Sequence, residues 1–506
     1  MLSYRHAFHA GNHADVLKHA VLLAVLDHLG RKDKPLTLVD THAGAGRYAL
    51  DSAHADKTGE WRDGAARLFG RDGLPALLDR YCRAIAGFNR GGPLRFYPGS
   101  PLLMHGALRA PGALSREVRR ATRLAVDLLG HLEGGAVRLS LPGHAPMVLG
   151  HGDLRADWTV HDERVFERIF ACGDIAMGES FMEGEWESDA LASLLSLLAA
   201  NRGVLRRAIH GRPLAMAGHW LRHRLRANTR RGAERNIAAH YDLGNDFYAL
   251  WLDRSMAYSS ALFGGADEGL AAAQQRKFER VLARLDPQPG DTILEIGCGW
   301  GGFAELAATT RGCRVMGLTL SREQLDYARR RAQRGGFAHL AEFALCDYRD
   351  VRGQYDHIVS IEMVEAVGER FWPQWFEQLA ERLKPGGKAL VQSITIDERL
   401  FDSYRRGTDF IQRYIFPGGM LPSVPRFIAE ARDAGLVVRD DFAFGRHYAR
   451  TLNAWRERFG QHPEALQEKG YDARFQRMWH FYLAYCEAGF ESGDLDVHQF
   501  ELAHAG

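Results

Sequence analysis

The chain has 506 residues, 46% of them hydrophobic, and its 65 basic and 63 acidic side chains leave a formal net charge of +2. That length is too great for one hydrophobic core and predicts two to four domains. The near balance of charge confines any attraction for an acidic partner to a local patch. The six cysteines, Cys82, Cys172, Cys298, Cys313, Cys346 and Cys486, form no CxxC pair, which argues against a disulfide framework or a metal site of the zinc type and fits a reducing cytoplasm. No stretch approaches the ~20 uninterrupted apolar residues of a membrane span. The His-rich opening MLSYRHAFHAGNHADVLKHA has no apolar core of signal-peptide length. The expected location is the cytoplasm, with access to a membrane from that side.

Residues 1–109 read as helix, strand (LTLVD), glycine turn and helices, closing on the loop GGPLRFYPGSP. Residues 110–200 mix helical segments (REVRRATRLAVDLLGHL, ALASLLSLLAA) with short β-like runs (AVRLSLPG, PMVLGHG, DWTVHD). That is the pattern of a small α+β domain. A basic segment, 201–235, follows; from 202 on it holds ten arginines and one acid, Glu234, with Trp220, Leu221 and Leu225 interleaved. A solvated linker accounts for it, and so does a cationic surface that approaches anionic phospholipid with Trp and Leu as shallow anchors. Nucleic acid would be attracted too, so the patch alone does not choose. From 236 to 506 the short apolar runs TILEIG, CRVMGLTL, FALCD, HIVSIEM and KALVQSI alternate with helical segments such as EQLDYARRRAQRG and WPQWFEQLAERL. This alternation predicts an α/β fold with a doubly wound parallel sheet and a ligand at the carboxyl ends of the strands.

The stretch LEIGCGWGG places Glu295 at the end of the first of these strands and Gly297, Gly299 and Gly301 at every second position after it. Glycine lets the backbone turn sharply and approach a ligand closely. Dinucleotide and methyltransferase turns share this shape, and the next strand ends discriminate between them. A dinucleotide site would place an acid after the second strand for the ribose; here the neutral Thr319 and Gln324 stand in TLSREQ. The third strand ends in Cys346-Asp347-Tyr348, a carboxylate and an aromatic suited to an adenine edge and face, and the fourth in SIEMVEAVG, with Glu365 at the mouth. These groups suit S-adenosylmethionine, which carries its methyl on a sulfonium.

HYDLGNDFYALWLD, MAYSSALF, LEIGCGWGG, GLTLSREQ, CDYRD, SIEMVEAVG, YIFPGGMLPS and FGRHYARTLNAW occur in that order. Together they resemble the cyclopropane-fatty-acyl-phospholipid synthase family over about residues 110–505. The resemblance implies a class I S-adenosylmethionine-dependent methyltransferase, Rossmann-like, over 236–506, with 110–200 as a lipid-handling domain. It implies that Tyr258, Ser259, the 295–301 turn, Thr319, Gln324, Asp347 and Tyr348 hold S-adenosylmethionine. It implies further that a bound bicarbonate, held by Ser260, Glu365, Gln392, the backbone of Ile394 and Tyr448, removes the proton that methylation of an alkene leaves behind. The substrate implied is an unsaturated phospholipid at the inner-membrane surface, approached peripherally, with a homodimer left open and no nucleic acid expected. Founding members usually carry Cys where this chain has Ser260 and His where it has Gln392. Gln donates and accepts but does not carry a proton near neutral pH. Anion binding and methyl transfer survive these departures; ring closure to a cyclopropane is the leading outcome by resemblance, and deprotonation of the cation elsewhere would give a methylene or, after reduction, a methyl branch instead.

A second glycine turn lies earlier. YRHAFHAGNHADVLKH, DTHAGAGRYAL, HADKTGEW and LRFYPGSPL resemble the J-type ribosomal large-subunit RNA adenine-N6 methyltransferase over about residues 1–109, a resemblance that implies cofactor contacts at His19, His42 and Ser100. That family binds the extruded base with an Asp-Pro-Pro-Tyr stretch, and this chain contains no Pro-Pro pair. A truncated, inactive fragment is the expectation, with RNA methylation a remote alternative.

Overall fold

The computed structural model describes residues 11–30, 47–50, 59–71, 73–89, 93–98, 116–206 and 243–505. His42, Ser100, the first glycine turn and the basic segment from 207 onward lie outside the described residues. Two compact units divide the chain at Leu114/Ser115. In the first, helix α1 (His13–Gly30) and helix α2 (Ala76–Phe88) flank a short antiparallel ribbon of β1 (Arg47–Ala49) and β2 (Phe96–Pro98). Ala20, Leu23, Tyr81, Ile85 and Tyr97 form its small core.

The second unit begins with α3 (Arg116–Gly130), whose Ala121, Ala125 and Leu129 recur every fourth residue and are buried, as one face of a helix requires. Next come β3 (Glu133–Ser140) and the long β4 (Met147–Val160). β4 doubles around the end of β3, so that Ala136 is paired with both Gly150 and Arg155. The reversal needs Gly152, at φ 135°, where a Cβ would lie 2.2 Å from the Gly134 carbonyl carbon. α4 (Arg164–Met182), the two-residue β5 (Trp186–Glu187) and α5 (Leu191–Ala200) complete this layer.

α6 (Leu270–Leu285) leads into β6 (Thr292–Ile296), α7 (Gly302–Arg311), β7 (Arg314–Thr319), α8 (Arg322–Arg334), β8 (Ala341–Leu345), β9 (Tyr355–Ile361), α9 (Trp372–Arg382) and β10 (Leu383–Ile396). The chain closes with α10 (Val424–Asp433), β11 (Leu436–Ala443), α11 (Gly445–Gly460), α12 (Ala473–Glu491) and β12 (Leu495–His504). The seven strands β6–β12 make one sheet in the order β11-β12-β10-β9-β6-β7-β8. β12 runs antiparallel to both its neighbours while the others are parallel. The wholly parallel sheet expected from the sequence is thus interrupted by one reversed strand. β12 escapes an apolar-run reading because His498, Gln499 and Glu501 are polar. In the fold they are buried and partnered, His498 with Asp441, Gln499 with Arg280 and Glu501 with Arg284.

Within this unit the small α+β layer and the sheet domain share a core. Phe181 and Trp186 pack against Phe481 of α12, Arg477 of α12 donates to the carbonyls of Phe181 and Trp186, and Tyr485 donates to Asp174 of α4 at 2.8 Å. Among the described residues, no helix is long and apolar enough to cross a membrane.

Candidate active site

The carboxyl ends of β6, β7, β8 and β9 open on a cavity of about 710 Å³. One half is walled by the glycine turn and the strand ends. The other is walled by apolar side chains of the small layer, among them Leu129, Trp158, Phe166, Ile169, Met177 and Leu195. The cavity is therefore polar where a cofactor would meet the sheet and oily where a hydrocarbon would lie.

On the cofactor side the turn after β6 runs through Gly297 at φ 86°, Gly299 at φ 51° and Gly301 at φ 78°. A Cβ on Gly299 would meet no protein atom within 4 Å, so the backbone there faces open space. Glu295 is buried, its carboxyl held well above the usual range by loss of solvent, and its Oε2 has no hydrogen-bond partner. The Tyr348 hydroxyl is likewise buried without a partner. Glu295, Thr319, Gln324, Tyr258, Ser259 and Tyr348 all line the cavity. Unsatisfied buried oxygens facing a glycine-walled space fit S-adenosylmethionine, whose ribose and adenine offer the missing partners. Two expected contacts stand apart. Both carboxylate oxygens of Asp347 are clamped by Arg349, leaving Tyr348 and Cys346 on the lining. Gly301 caps α7 and packs instead, since a Cβ there would lie 3.2 Å from Ala328 and Phe343.

The residues expected to cradle bicarbonate do converge, but on a residue of the chain itself. Glu362, just past β9, accepts on Oε1 from the Ser260 N–H at 2.8 Å and from Gln392 Nε2 at 2.7 Å, and on Oε2 from the Tyr448 hydroxyl at 2.6 Å. Ser260, Gln392 and Tyr448 are thus committed to a carboxylate already present, and they do not fit the free bicarbonate that the resemblance implies. The orientation of Gln392 is fixed in turn: its Oε1 accepts from Gln499 at 3.0 Å, and Gln499 accepts from Arg280 at 2.6 Å. Glu365 lies apart from this trio, accepting from the Ile394 N–H at 2.5 Å, with its Oε2 unpartnered on the cavity wall.

Burial and the neighbouring Glu362 push Glu365 up to about 8. Burial also raises Glu362, against the opposing pull of Tyr448, the Ser260 N–H, Lys277 and Gln392. Hydrogen bonds to an ionised carboxylate favour that form. Glu362 is therefore the better proton acceptor of the two, and Glu365 is held mostly protonated near neutral pH. Glu362 also sits at φ 51°, a backbone state rare outside glycine. In the sequence Glu362 is overshadowed by its neighbour, because SIEMVEAVG holds two acids and the family resemblance marks the second, Glu365. The signal was there: a glutamate immediately after a strand end that faces the ligand.

A Rossmann-like sheet, a glycine turn facing open space and unpartnered acids at the strand ends define a class I S-adenosylmethionine-dependent methyltransferase. Residues 228–500 match the family model for mycolic acid cyclopropane synthetase. The chain is 41% identical over 425 residues to the tuberculostearic acid methyltransferase UfaA1 of Mycobacterium tuberculosis, covering 81% of this chain and 96% of that one. The solved cyclopropane synthase MmaA2 from Mycobacterium tuberculosis superposes with a TM-score of 0.51 at 31% identity, over 53% of this chain and 98% of that one. The chain belongs to the cyclopropane synthase family of methyltransferases.

The first unit has a separate kinship. Residues 33–120 match the family model for ribosomal RNA large subunit methyltransferase D, RlmJ. Over 114 residues the chain is 56% identical to ribosomal RNA large subunit methyltransferase J of Escherichia coli, spanning 41% of that protein's length. His19, an expected cofactor contact, is fully buried in that unit, with Nδ1 2.7 Å from the Tyr97 hydroxyl.

Proposed function

We propose that the chain transfers the methyl carbon of S-adenosylmethionine to the cis double bond of an unsaturated phospholipid acyl chain, and that Glu362 accepts the proton released. The observation that carries this reading is the Glu362 carboxylate, fixed by Ser260, Gln392 and Tyr448 on the wall of a cavity that is polar toward the glycine turn and apolar beyond it. S-adenosylmethionine bound at the turn would supply an electrophilic methyl. An alkene is a weak nucleophile, so the chain's task is alignment in a dry site. The apolar half holds the acyl chain and excludes water. The π electrons would form the new carbon–carbon bond as the methyl–sulfur bond breaks and S-adenosylhomocysteine leaves, and the positive charge left on the neighbouring carbon must be discharged before water captures it. Glu362 stands on that wall as a carboxylate, while Glu365 offers a neutral hydroxyl donor or a spare oxygen through Oε2.

Loss of the proton from the added methyl with ring closure gives a cyclopropane, the product named by the family model. A shift of hydride from the methylated carbon to its cationic neighbour, followed by loss of a methyl proton, gives a methylene group instead, which a reducing partner would convert to a methyl branch. The extended similarity to a tuberculostearic acid methyltransferase favours this second product. The basic segment at 201–235 suits peripheral approach to an anionic phospholipid surface. The test is expression in a bacterial host lacking its own synthase, fed methionine labelled with carbon-13 in the methyl group. Unsaturated acyl chains should gain one methylene unit of mass. The label's chemical shift separates a ring carbon from an olefinic one. No mass gain in unsaturated chains sinks the proposal.

A further inference from the structure

Behind the cavity wall lies a lysine that the reading above does not use. Lys277, on α6, is fully buried, and its ammonium donates to Ser259 Oγ at 2.6 Å. A buried ammonium is costly unless something compensates it. No carboxylate approaches it within ion-pair distance among the described residues. Three acids act on it through space, Glu362 after β9, Asp253 before α6 and Glu295 on β6. Asp253 is already occupied by the N–H and hydroxyl of Ser255. Glu295 and Glu362 both draw their charge compensation from Lys277. The contact to Ser259 matters as well, because the next residue, Ser260, supplies the N–H that holds Glu362 Oε1.

We infer that Lys277 is a positioning residue for the proton-accepting carboxylate: it pins the Ser259-Ser260 turn through one hydrogen bond and supplies the positive charge that keeps Glu362 ionised inside the fold. This rests on Glu362 being the proton acceptor. The groups facing Glu362 are Tyr448 of α11, Gln392 of β10, the Ser260 N–H, Glu365 beside it and Lys277 of α6. Of these, Lys277 is the cation. Lys277 itself is drawn down to about 8 by burial, so it is charged over the range in which the acid limb of the reaction would be read. The direction of the effect is fixed: removing a nearby positive charge raises a carboxyl group's pKa. Activity that needs the carboxylate must then begin at higher pH.

The experiment uses the full chain, vesicles of unsaturated anionic phospholipid and S-adenosylmethionine. Rate–pH profiles of kcat are compared for the wild type, Lys277→Gln, Lys277→Arg and Glu362→Gln, with S-adenosylhomocysteine affinity measured by calorimetry for each. Lys277→Gln keeps a donor for Ser259 and loses the charge. Its acid limb should move up by about one pH unit, with turnover on that limb about tenfold lower and recovered at higher pH. Lys277→Arg should retain a limb near that of the wild type. A uniform rate loss in Lys277→Gln with no movement of the limb overturns the proposal, as does an Arg variant shifted as far as the Gln variant. If Lys277→Gln does not fold, the Arg profile still decides: a limb shifted by a full unit refutes the role. Glu362→Gln should bind S-adenosylhomocysteine and turn over at less than about a hundredth of the wild-type rate. If it keeps the wild-type profile, the Glu362 reading fails and the Lys277 inference with it. If it is inactive while the Lys277 variants leave the limb unmoved, the Lys277 inference alone falls.

Discussion

Tyr448→Phe is the sharpest probe of the proton-accepting wall, because it deletes one oxygen and little else. The Tyr448 ring stacks on Phe490 with centroids 4.5 Å apart and meets Trp455 edge-on at 6.1 Å, contacts a phenylalanine keeps. The lost bond is the 2.6 Å donation to Glu362 Oε2. A hydrogen bond to a charged group contributes about 1.5–3 kcal/mol, and one pKa unit corresponds to about 1.4 kcal/mol. Glu362, already raised by burial and lowered by Tyr448, should therefore titrate about 1–2 units higher in the variant. Catalysis that requires the carboxylate rises with pH through that pKa, so the acid limb of kcat should move up by the same interval. On that acid limb turnover should fall about ten- to a hundredfold, with recovery as the buffer is made more alkaline. The assay is release of S-adenosylhomocysteine on unsaturated phospholipid vesicles across a pH series, with thermal unfolding to show that the fold is intact. A variant whose rate drops equally at every pH, or does not drop, refutes the assignment of Tyr448 as a donor to the catalytic carboxylate.

Three further outcomes follow from individual contacts. Glu365 sits near 8 in the fold and about 4.3 in an unfolded chain, so the folded state binds the extra proton between those values and stability falls as pH rises through them. Melting temperature should decline from pH 5 to pH 8, and Glu365→Gln should flatten part of that decline; an unchanged slope would count against it. Gly299→Ala places a methyl where no protein atom lies within 4 Å. S-adenosylhomocysteine affinity should weaken about tenfold or more while stability drops by only about 1 kcal/mol, the strain of a positive φ. Unimpaired affinity would mean that the ligand does not approach there. Gly178→Ala should behave in the opposite way. Its Cβ would lie 2.3 Å from the Phe410 ring and 2.9 Å from Phe481, so the seam between the small layer and the sheet must open. A loss of about 1–3 kcal/mol is expected, read as a lower denaturant midpoint, and a stability equal to wild type would refute the packing described.

The amino-acid sequence alone determined the five parallel strands β6–β10 of the second unit and the turn between β6 and α7. Parallel strands buried on both faces read as unbroken apolar runs, and a turn that must approach a ligand requires glycine; both constraints are local. It pointed to Glu295, Thr319, Gln324 and Tyr348 for the same reason, since each stands at, or within five residues of, the carboxyl end of a strand. The tertiary structure alone decided what Ser260, Gln392 and Tyr448 are for. They come from the loop before α6, from β10 and from α11, and only the fold brings them onto one carboxylate, with Glu362 standing where a free anion was expected. Likewise β12 and Lys277 could not be read in advance. A buried polar strand and a buried lysine defy the rule that polar residues stay outside. What makes them tolerable is a set of partners, Arg280, Arg284, Asp441 and Ser259, that no sequence window contains.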